Sequence, residues 1–428
     1  MTRCSIRGRR RVLCGVLFRA LIKEGRLTVI DAGGKRHVFG DDRSPAVTMR
    51  LHDRRIERQL FLNPNLHLGE GYMDGRLTVE DGGLYDLLDL ILRNVGWGYG
   101  HGLGEVLAVF RRAARRLMQL NTLDRSVRNS AHHYDLSHAL YDLFLDRDRQ
   151  YTCAYFAAPG DDLDIAQERK KRHIAAKLLI EPGQRVLEIG SGWGGLAIYL
   201  AQTTGAEVTG VTLSEEHHRI ASGRAEALGL GDRVRFVLKD YREVEGRFDR
   251  IVSIGMFEAV GVAYFRRFFE QIRDLLSDDG VALLHSVGRL DGPGATNPWL
   301  RKYIFPGGYA PALSEVIPHA ERAGLCMTDI EILRLHYAET LRLWRERFMA
   351  NRDEAKALFD ERFCRMWEFY LAGSEASFRH GGLMVFQLQL AAKLGIVPLT
   401  RDYITDWERA HEGEAEAVRP RRLRKAGS

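Results

Sequence analysis

The stretch "VLEIGSGWGG" (186–195) decides how this chain is read. It begins apolar, carries one acid, Glu188, and then places glycine at 190, 192, 194 and 195. An apolar strand that runs into a glycine-rich turn and then a helix is the opening of a cofactor-binding βα unit. Glycine permits the tight turn and lets backbone N–H groups approach a ligand. Gly190, Gly192 and Gly195 also satisfy the G-x-G-x-x-G dinucleotide spacing. Two details turn the reading away from NAD. Glu188 has no use beside a pyrophosphate, but it can reach the ammonium of an amino-acid-like ligand or set the loop. The next strand ends in "VTGVTLS" (208–214), with no Asp or Glu to grip an NAD ribose. S-adenosylmethionine fits both details: it has a ribose, an adenine and a charged amino-acid tail, and no phosphate. The bland alternative is a glycine loop that serves only the fold.

Working outward, strand-like and helix-like segments alternate. "RVLEI" (185–189), "EVTGVTL" (207–213), "VRFVLKD" (234–240), "FDRIVSIGM" (248–256) and "GVALLHSV" (280–287) read as strands. Ser214, followed by Glu215 and Glu216, reads as the start of a helix, and "AYFRRFFEQIRDLL" (263–276) as another. Such alternation implies a parallel, doubly wound α/β sheet with ligands beyond the strand C-termini. Further strands are expected at "CMTDIEIL" (326–333) and "LMVFQLQL" (383–390), in a mainly helical remainder. Ahead of this lies a small α+β unit over about 20–95, with strands at "RLTVI" (26–30), "KRHVFG" (35–40) and "AVTMRLH" (46–52) and a helix at "LYDLLDLILRN" (84–94). The expected organisation is an N-terminal domain over 1–125, a cofactor domain over 126–400 and a flexible basic tail over 401–428.

Composition narrows the class. The 428 residues are 45% hydrophobic and 28% charged, which is ordinary globular usage. Cys4, Cys14, Cys153, Cys326 and Cys364 are scattered and odd in number, which argues for a reducing compartment and against a disulfide framework or zinc ribbon. No metal site is expected. No apolar run is long enough for a membrane span, and "VLCGVLFRALI" (12–22), interrupted by Arg19, reads as a helix and not a signal peptide. Basic residues crowd the ends: eight Lys/Arg against one acid in 1–27, and five against none in 418–428. A further cluster, Arg111, Arg112, Arg115 and Arg116, falls at helical spacing in "FRRAARRLMQL" (110–120). Such segments suit an anionic membrane surface; solvated faces and disordered tails are the rival reading. Nucleic acid is disfavoured, since no binding-module motif accompanies the arginines.

Longer motifs are more specific than the glycine loop. "QYTCAYF" (150–156), "VLEIGSGWGGLA" (186–197), "VTLSEE" (211–216), "FDRIVSIGMFEAVG" (248–261), "LLHSVG" (283–288), "YIFPGGYAP" (303–311) and "HYAETLRLW" (336–344) occur in this order. Together they resemble the cyclopropane-fatty-acyl-phospholipid synthase family, which includes the mycolic acid cyclopropane synthases. "LGEGYMDG" (68–75) resembles the N-terminal domain of the bacterial phospholipid-acting members.

The resemblance implies a Rossmann-like class I methyltransferase sheet with helical insertions that cover the substrate. It implies an enzyme that transfers a methylene group from S-adenosylmethionine to the cis double bond of an unsaturated phospholipid acyl chain. A bound bicarbonate ion would be the base, held by Cys153, Glu258, His285, Tyr337 and the backbone of Val287. Cofactor contacts would come from Tyr151 and Thr152, from Glu188, Gly190, Ser191, Gly192 and Gly194, from Thr212, Leu213 and His217, and from Tyr241, Arg242 and Ile254. A cytoplasmic protein is implied, peripheral on the inner face of the membrane, with a homodimer as a further implication. Related chemistry giving a methyl-branched or methylene product is the alternative.

Each residue also has a bland reading. Cys153 is a buried small apolar group, His285 a satisfied core histidine, Glu258 a helix-start acid, Tyr337 a packing group and Tyr241 a surface tyrosine. Their coincidence in one constellation from separate segments outweighs those readings. The sequence departs from the family's pattern at Ala259, where His is usual, at His217, where Gln is usual, and at His138 and Ala139. Ala259 and the segment 137–140 are expected on the substrate side.

Overall fold

The computed structural model describes residues 13–41, 46–96 and 138–412. The basic cluster at 110–120, the extreme basic ends and the domain boundary expected near 125 lie outside the described residues. The chain divides into two compact units.

One unit is built on four strands, β1 (Arg26–Ile30), β2 (Arg36–Gly40), β3 (Ala46–Leu51) and β4 (Leu77–Asp81), in the order β2-β1-β3-β4. All three strands expected from the sequence are present. The strand burial alternates, as a sheet with one covered face requires. Leu27, Val29, Val47, Met49 and Leu51 point into a core shared with Ile56 and Leu60 of the helix Arg54–Leu62 and with Leu87 and Leu90 of the helix Leu84–Val95. This unit also takes in Thr296–Pro306 and Trp344–Gly382. The continuous 126–400 domain expected from the sequence is therefore interrupted twice. The reason is packing. Ala372 and Ala376 of the helix Glu361–His380 bury against Leu84 and Leu88, and the Trp299 indole lies over Gly69, where an added methyl would overlap it.

The second unit carries a seven-stranded sheet: β5 (Arg185–Ile189), β6 (Glu207–Thr212), β7 (Val234–Leu238), β8 (Phe248–Ile254), β9 (Leu276–Arg289), β10 (Cys326–Ile332) and β11 (Leu383–Ala391). The order is β10-β11-β9-β8-β5-β6-β7. β5 to β9 pair in parallel, while β11 runs antiparallel to both β9 and β10. All seven strands fall where the sequence placed them. One face is covered by the helix Phe265–Leu275, whose Phe265, Phe268, Phe269, Ile272 and Leu275 form one apolar stripe. The other is covered by the helices Leu163–Leu178, Gly195–Thr204 and Glu215–Ala227. β5 neighbours β6 on one side and β8 on the other, so the chain reverses direction of winding at β5. Ligands of such sheets bind at that switch point, beyond the strand C-termini.

The flexible tail expected over 401–428 does not hold for its first part, and 413–428 lie outside the described residues. Asp402–Ala410 is a helix. Ile404 is buried, Trp407 packs against the core that includes Val186 and Leu196, and Gln389 Nε2 donates to the Tyr403 hydroxyl at 2.8 Å. These apolar and aromatic anchors pull the segment onto the fold despite its charged neighbours.

Candidate active site

The glycine loop leaves β5 at the switch point. Gly190 and Gly194 have φ of +86° and +80°, the left-handed region that glycine tolerates. A side chain at Gly190 would also press on Met256, and one at Gly194 on Phe236 and Ala221. The N–H groups of Gly190 and Ser191 both donate to Val211 O, at 2.9 and 3.0 Å, and tie the loop to the end of β6. Lys239 N donates to Thr212 O at 3.0 Å, which brings the end of β7 alongside. Three strand ends therefore present one edge.

Along this edge the structure gathers the residues expected to hold the cofactor. Glu188 is buried, and its Oε2 has no hydrogen-bond partner; Ser191 Oγ is buried and equally unpartnered. Burial pushes the Glu188 carboxyl up to about 8, against the pull of the Lys170 ammonium and a backbone N–H. Unpartnered buried groups in a cradle of glycines fit a ligand with an ammonium and hydroxyls. S-adenosylmethionine supplies both. Thr212 Oγ1 accepts from Ser214 N at 3.2 Å, and Ser214 caps the next helix by accepting from His217 N at 3.2 Å. Leu213 is half-buried between them. The His217 ring stands edge-on to Trp193, 4.6 Å away. Tyr241 packs edge-on to Phe268 at 5.5 Å, at the end of β7. Arg242 turns back to Asp240, with Nη2 2.7 Å from Oδ2. Ile254 ends β8 opposite His285.

Tyr151 lies edge-on to Tyr141 at 5.4 Å, and Tyr141 edge-on to Trp193 at 5.2 Å. His138 forms an ion pair with Glu216, one residue before His217. The departures at His138 and His217 thus stand together over the glycine loop. The segment 137–140 was expected on the substrate side; Tyr141, which follows it, packs on Trp193 of the glycine loop.

A second cluster lies at the ends of β8, β9 and β11. Val287 N donates to Glu258 Oε1 at 2.5 Å, while Glu258 Oε2 is buried without a partner. Burial pushes the Glu258 carboxyl up to about 7. His285, two residues back on β9, is 2% exposed, and burial with the Lys170 and Lys177 charges pulls its imidazole down to about 3. The ring is neutral at physiological pH. Its Nδ1 is 3.3 Å from Gln387 Nε2, and Gln387 Oε1 is buried and unpartnered. With the amide nitrogen as donor, Nδ1 accepts and Nε2 carries the ring proton.

Cys153 is buried, and its Sγ contacts the carbonyls of Ala154 at 3.3 Å and Leu333 at 3.9 Å. Burial raises its pKa far above the ordinary thiol range, so it is a neutral S–H donor. Leu333 N in turn donates to Val385 O at 2.8 Å, and Val385 pairs with Val287. Tyr337 lies one helical turn beyond Leu333, with its N–H 3.4 Å from the Leu333 carbonyl. The backbone thus links Cys153, Tyr337, Val287 and Glu258, and β9 adds His285. Unpartnered oxygens beside neutral donors fit a small anion that carries its own hydroxyl. Among the described residues no group of His, Cys, Asp or Glu is arranged to hold a metal ion.

Sequence reasoning missed Gln387 and Lys170. Gln387 and Gln389 are two buried amides in the otherwise apolar "LMVFQLQL", which was the available signal. Lys170 sits on the buried face of a charged helix, and nothing in its neighbours marks it out.

Comparison with known proteins shows the family. The family model described as mycolic acid cyclopropane synthetase matches residues 121–388. The tuberculostearic acid methyltransferase of Mycobacterium tuberculosis is 38% identical, over 85% of this chain and 87% of its own length. The cyclopropane-fatty-acyl-phospholipid synthase of Escherichia coli K12 is 35% identical, over 81% of this chain and 88% of its own. Among solved structures, the cyclopropane synthase MmaA2 from Mycobacterium tuberculosis is 31% identical with a TM-score of 0.59, covering 62% of this chain and 98% of that one. A mycolic acid cyclopropane synthase complexed with SAH and CTAB is 32% identical with the same TM-score of 0.59, covering 62% and 98%. The chain belongs to the mycolic acid cyclopropane synthetase family and is an S-adenosylmethionine-dependent methyltransferase of the cyclopropane synthase type.

Proposed function

We propose that the enzyme adds a methylene group across the cis double bond of unsaturated phospholipid acyl chains, and that it uses bicarbonate as base. The observation that carries this reading is the second cluster: Glu258, fixed by the Val287 N–H on one oxygen and unpartnered on the other, beside neutral His285. The likeness to the Escherichia coli phospholipid synthase supports the substrate class.

An alkene is a weak nucleophile, so the chain must hold it in line with the donor carbon in a site without water. S-adenosylmethionine supplies the methyl group. The glycine loop, Ser191 and Glu188 would hold the polar tail, with Tyr151 and Thr152 adding contacts from the segment that also carries Cys153. Bicarbonate, when bound, supplies the base that takes a proton from the transferred carbon. Glu258 Oε2 would accept the hydroxyl of that anion, His285 Nε2–H and the Tyr337 hydroxyl would donate to its oxygens, and Cys153 would join them by turning its S–H away from the Ala154 carbonyl. The Glu258 carboxylate also favours positive charge developing on the acyl chain.

A second reading, C-methylation to a methyl-branched or methylene product, is favoured by the 38% identity to the tuberculostearic acid methyltransferase. Expression in a host that lacks such an enzyme, followed by lipid mass spectrometry, tests both. A gain of one CH2 with loss of the double bond supports the first. A gain with a retained methyl or methylene signal supports the second, and unchanged lipids with good expression contradict both.

We further propose peripheral contact with an anionic membrane, in the cytoplasm. Among the described residues no helix is long and apolar enough to cross a membrane. The helix Arg54–Leu62 buries Ile56 and Leu60 and exposes Arg54, Arg55, Arg58, Phe61 and Leu62 on one stripe, with Leu62 77% exposed. Three arginines leading into two exposed apolar side chains suit a lipid headgroup layer. A homodimer is part of this proposal, and sedimentation at micromolar concentration tests it.

A further inference from the structure

Lys170 lies on the buried face of the helix Leu163–Leu178, and nothing in the reaction as described uses it. It is 1% exposed. Its Nζ donates to Gln150 Oε1 at 2.6 Å and to Thr152 Oγ1 at 2.8 Å. Both acceptors are neutral. Burying an ammonium against neutral partners is costly, and a chain that does so gains something elsewhere.

The hydrogen-bond directions say what is gained. An ammonium can only donate, so the Thr152 hydroxyl is an acceptor toward Lys170 and its single proton points to another group. Thr152 stands on the ligand edge, with its methyl against the backbone of Gly255 just after β8. The same segment is pinned by Gln167 Nε2, which donates to the carbonyls of Gln150 at 3.1 Å and Thr152 at 2.9 Å, and by Thr340 Oγ1, which accepts from Ala154 N at 3.0 Å. The Lys170 charge acts on Glu188 across this edge and draws its pKa down. Burial pulls the Lys170 ammonium down to about 8; Asp146 and Asp148 work against that lowering, and Lys171 adds to it.

We infer that Lys170 is a positioning residue for the cofactor: its ammonium turns the Thr152 hydroxyl into a donor toward the carboxylate of the S-adenosylmethionine tail, and its charge balances the Glu188 carboxylate that faces the tail's ammonium. This rests on placing the tail along the β5 edge. Lys170 itself touches neither cofactor nor lipid.

The test is calorimetric binding of S-adenosylhomocysteine to the full chain across the neutral pH range, with KM for S-adenosylmethionine and for phospholipid measured in parallel. Lys170→Met should weaken binding about tenfold or more. It should move the pH below which binding falls, where Glu188 takes up a proton, to a higher value. KM for phospholipid should stay within about twofold, since no lipid contact changes. Thr152→Val keeps the charge and removes the hydroxyl, so it should weaken binding without moving the pH limb. The double variant should lose less than the sum of the two singles. Wild-type affinity with an unchanged pH limb in a folded Lys170→Met protein overturns the proposal, as does strict additivity. If Lys170→Met does not fold, wild-type affinity in Thr152→Val overturns it alone. A wild-type chain that binds no S-adenosylhomocysteine at any pH overturns the cofactor placement and the proposal with it.

Discussion

Glu258 and Val287 are joined by a hydrogen bond of 2.5 Å from the Val287 N–H to Glu258 Oε1. The second carboxylate oxygen is buried and has no hydrogen-bond partner. Glu258→Gln keeps the acceptor for Val287 but puts an N–H where the anion's hydroxyl must be accepted. Two donors then face each other. Turnover is expected to fall about a hundredfold or more, while S-adenosylhomocysteine binding stays within about twofold of wild type. Single-turnover product analysis with parallel calorimetry checks this; equal losses in binding and turnover would contradict it.

The same carboxyl makes stability depend on pH. Its folded value is about 7 against an ordinary 4.5, so the neutral form is favoured in the fold. A raised pKa contributes stability that is fully present below the unfolded value and is lost as pH rises through the folded one. Gln cannot ionise. Relative to Glu258→Gln, the wild-type protein should therefore lose about 2 to 3 kcal/mol between roughly pH 5 and pH 8.5. Urea melts of both proteins at the two pH values measure it, and parallel curves would refute the assignment.

Gly69 tests the packing of the unit built on β1 to β4. It is buried in the helix Pro64–Met73 and faces the Trp299 indole, whose Nε1 lies 3.2 Å from Met73 Sδ. The helical backbone accepts any residue here, so the cost of Gly69→Ala is purely steric. A loss of about 1 to 3 kcal/mol is expected, against the gain of a few tenths to about 1 kcal/mol that Ala gives in an unhindered helix. Thermal unfolding decides the sign.

The exposed stripe of the helix Arg54–Leu62 should govern vesicle binding. Arg54→Glu with Arg58→Glu removes two basic contacts and adds two repulsive ones, at about 1 kcal/mol for each lost charge near an anionic surface. Cosedimentation with phosphatidylglycerol vesicles should fall at least about tenfold, with turnover on detergent-dispersed lipid unchanged. Equal binding by the variant would move the contact to another surface.

The sequence made the strands legible, because buried parallel strands such as Arg185–Ile189 are apolar runs closed by glycine. The candidate site residues come from motifs, and the fold sets many of them near the ends of β5 to β9. What the sequence hid were tertiary choices. The return of 296–306 and 344–382 to the first unit depends on Trp299 finding Gly69 and on Ala372 and Ala376 finding Leu84 and Leu88, pairings no local pattern announces. Asp402–Ala410 looked like a tail because Ile404 and Trp407 are sparse among charges, yet two anchors suffice once Tyr403 also meets Gln389.

The most direct measurement uses purified enzyme, S-adenosylmethionine labelled with carbon-13 in its methyl group, and vesicles of a cis-monounsaturated phospholipid. The acyl product is read by carbon-detected NMR. The account predicts label in a ring CH2 flanked by two former alkene carbons, formed only when bicarbonate is present. Label in a methyl or methylene branch, or ring formation at full rate in carbonate-free buffer, would contradict it.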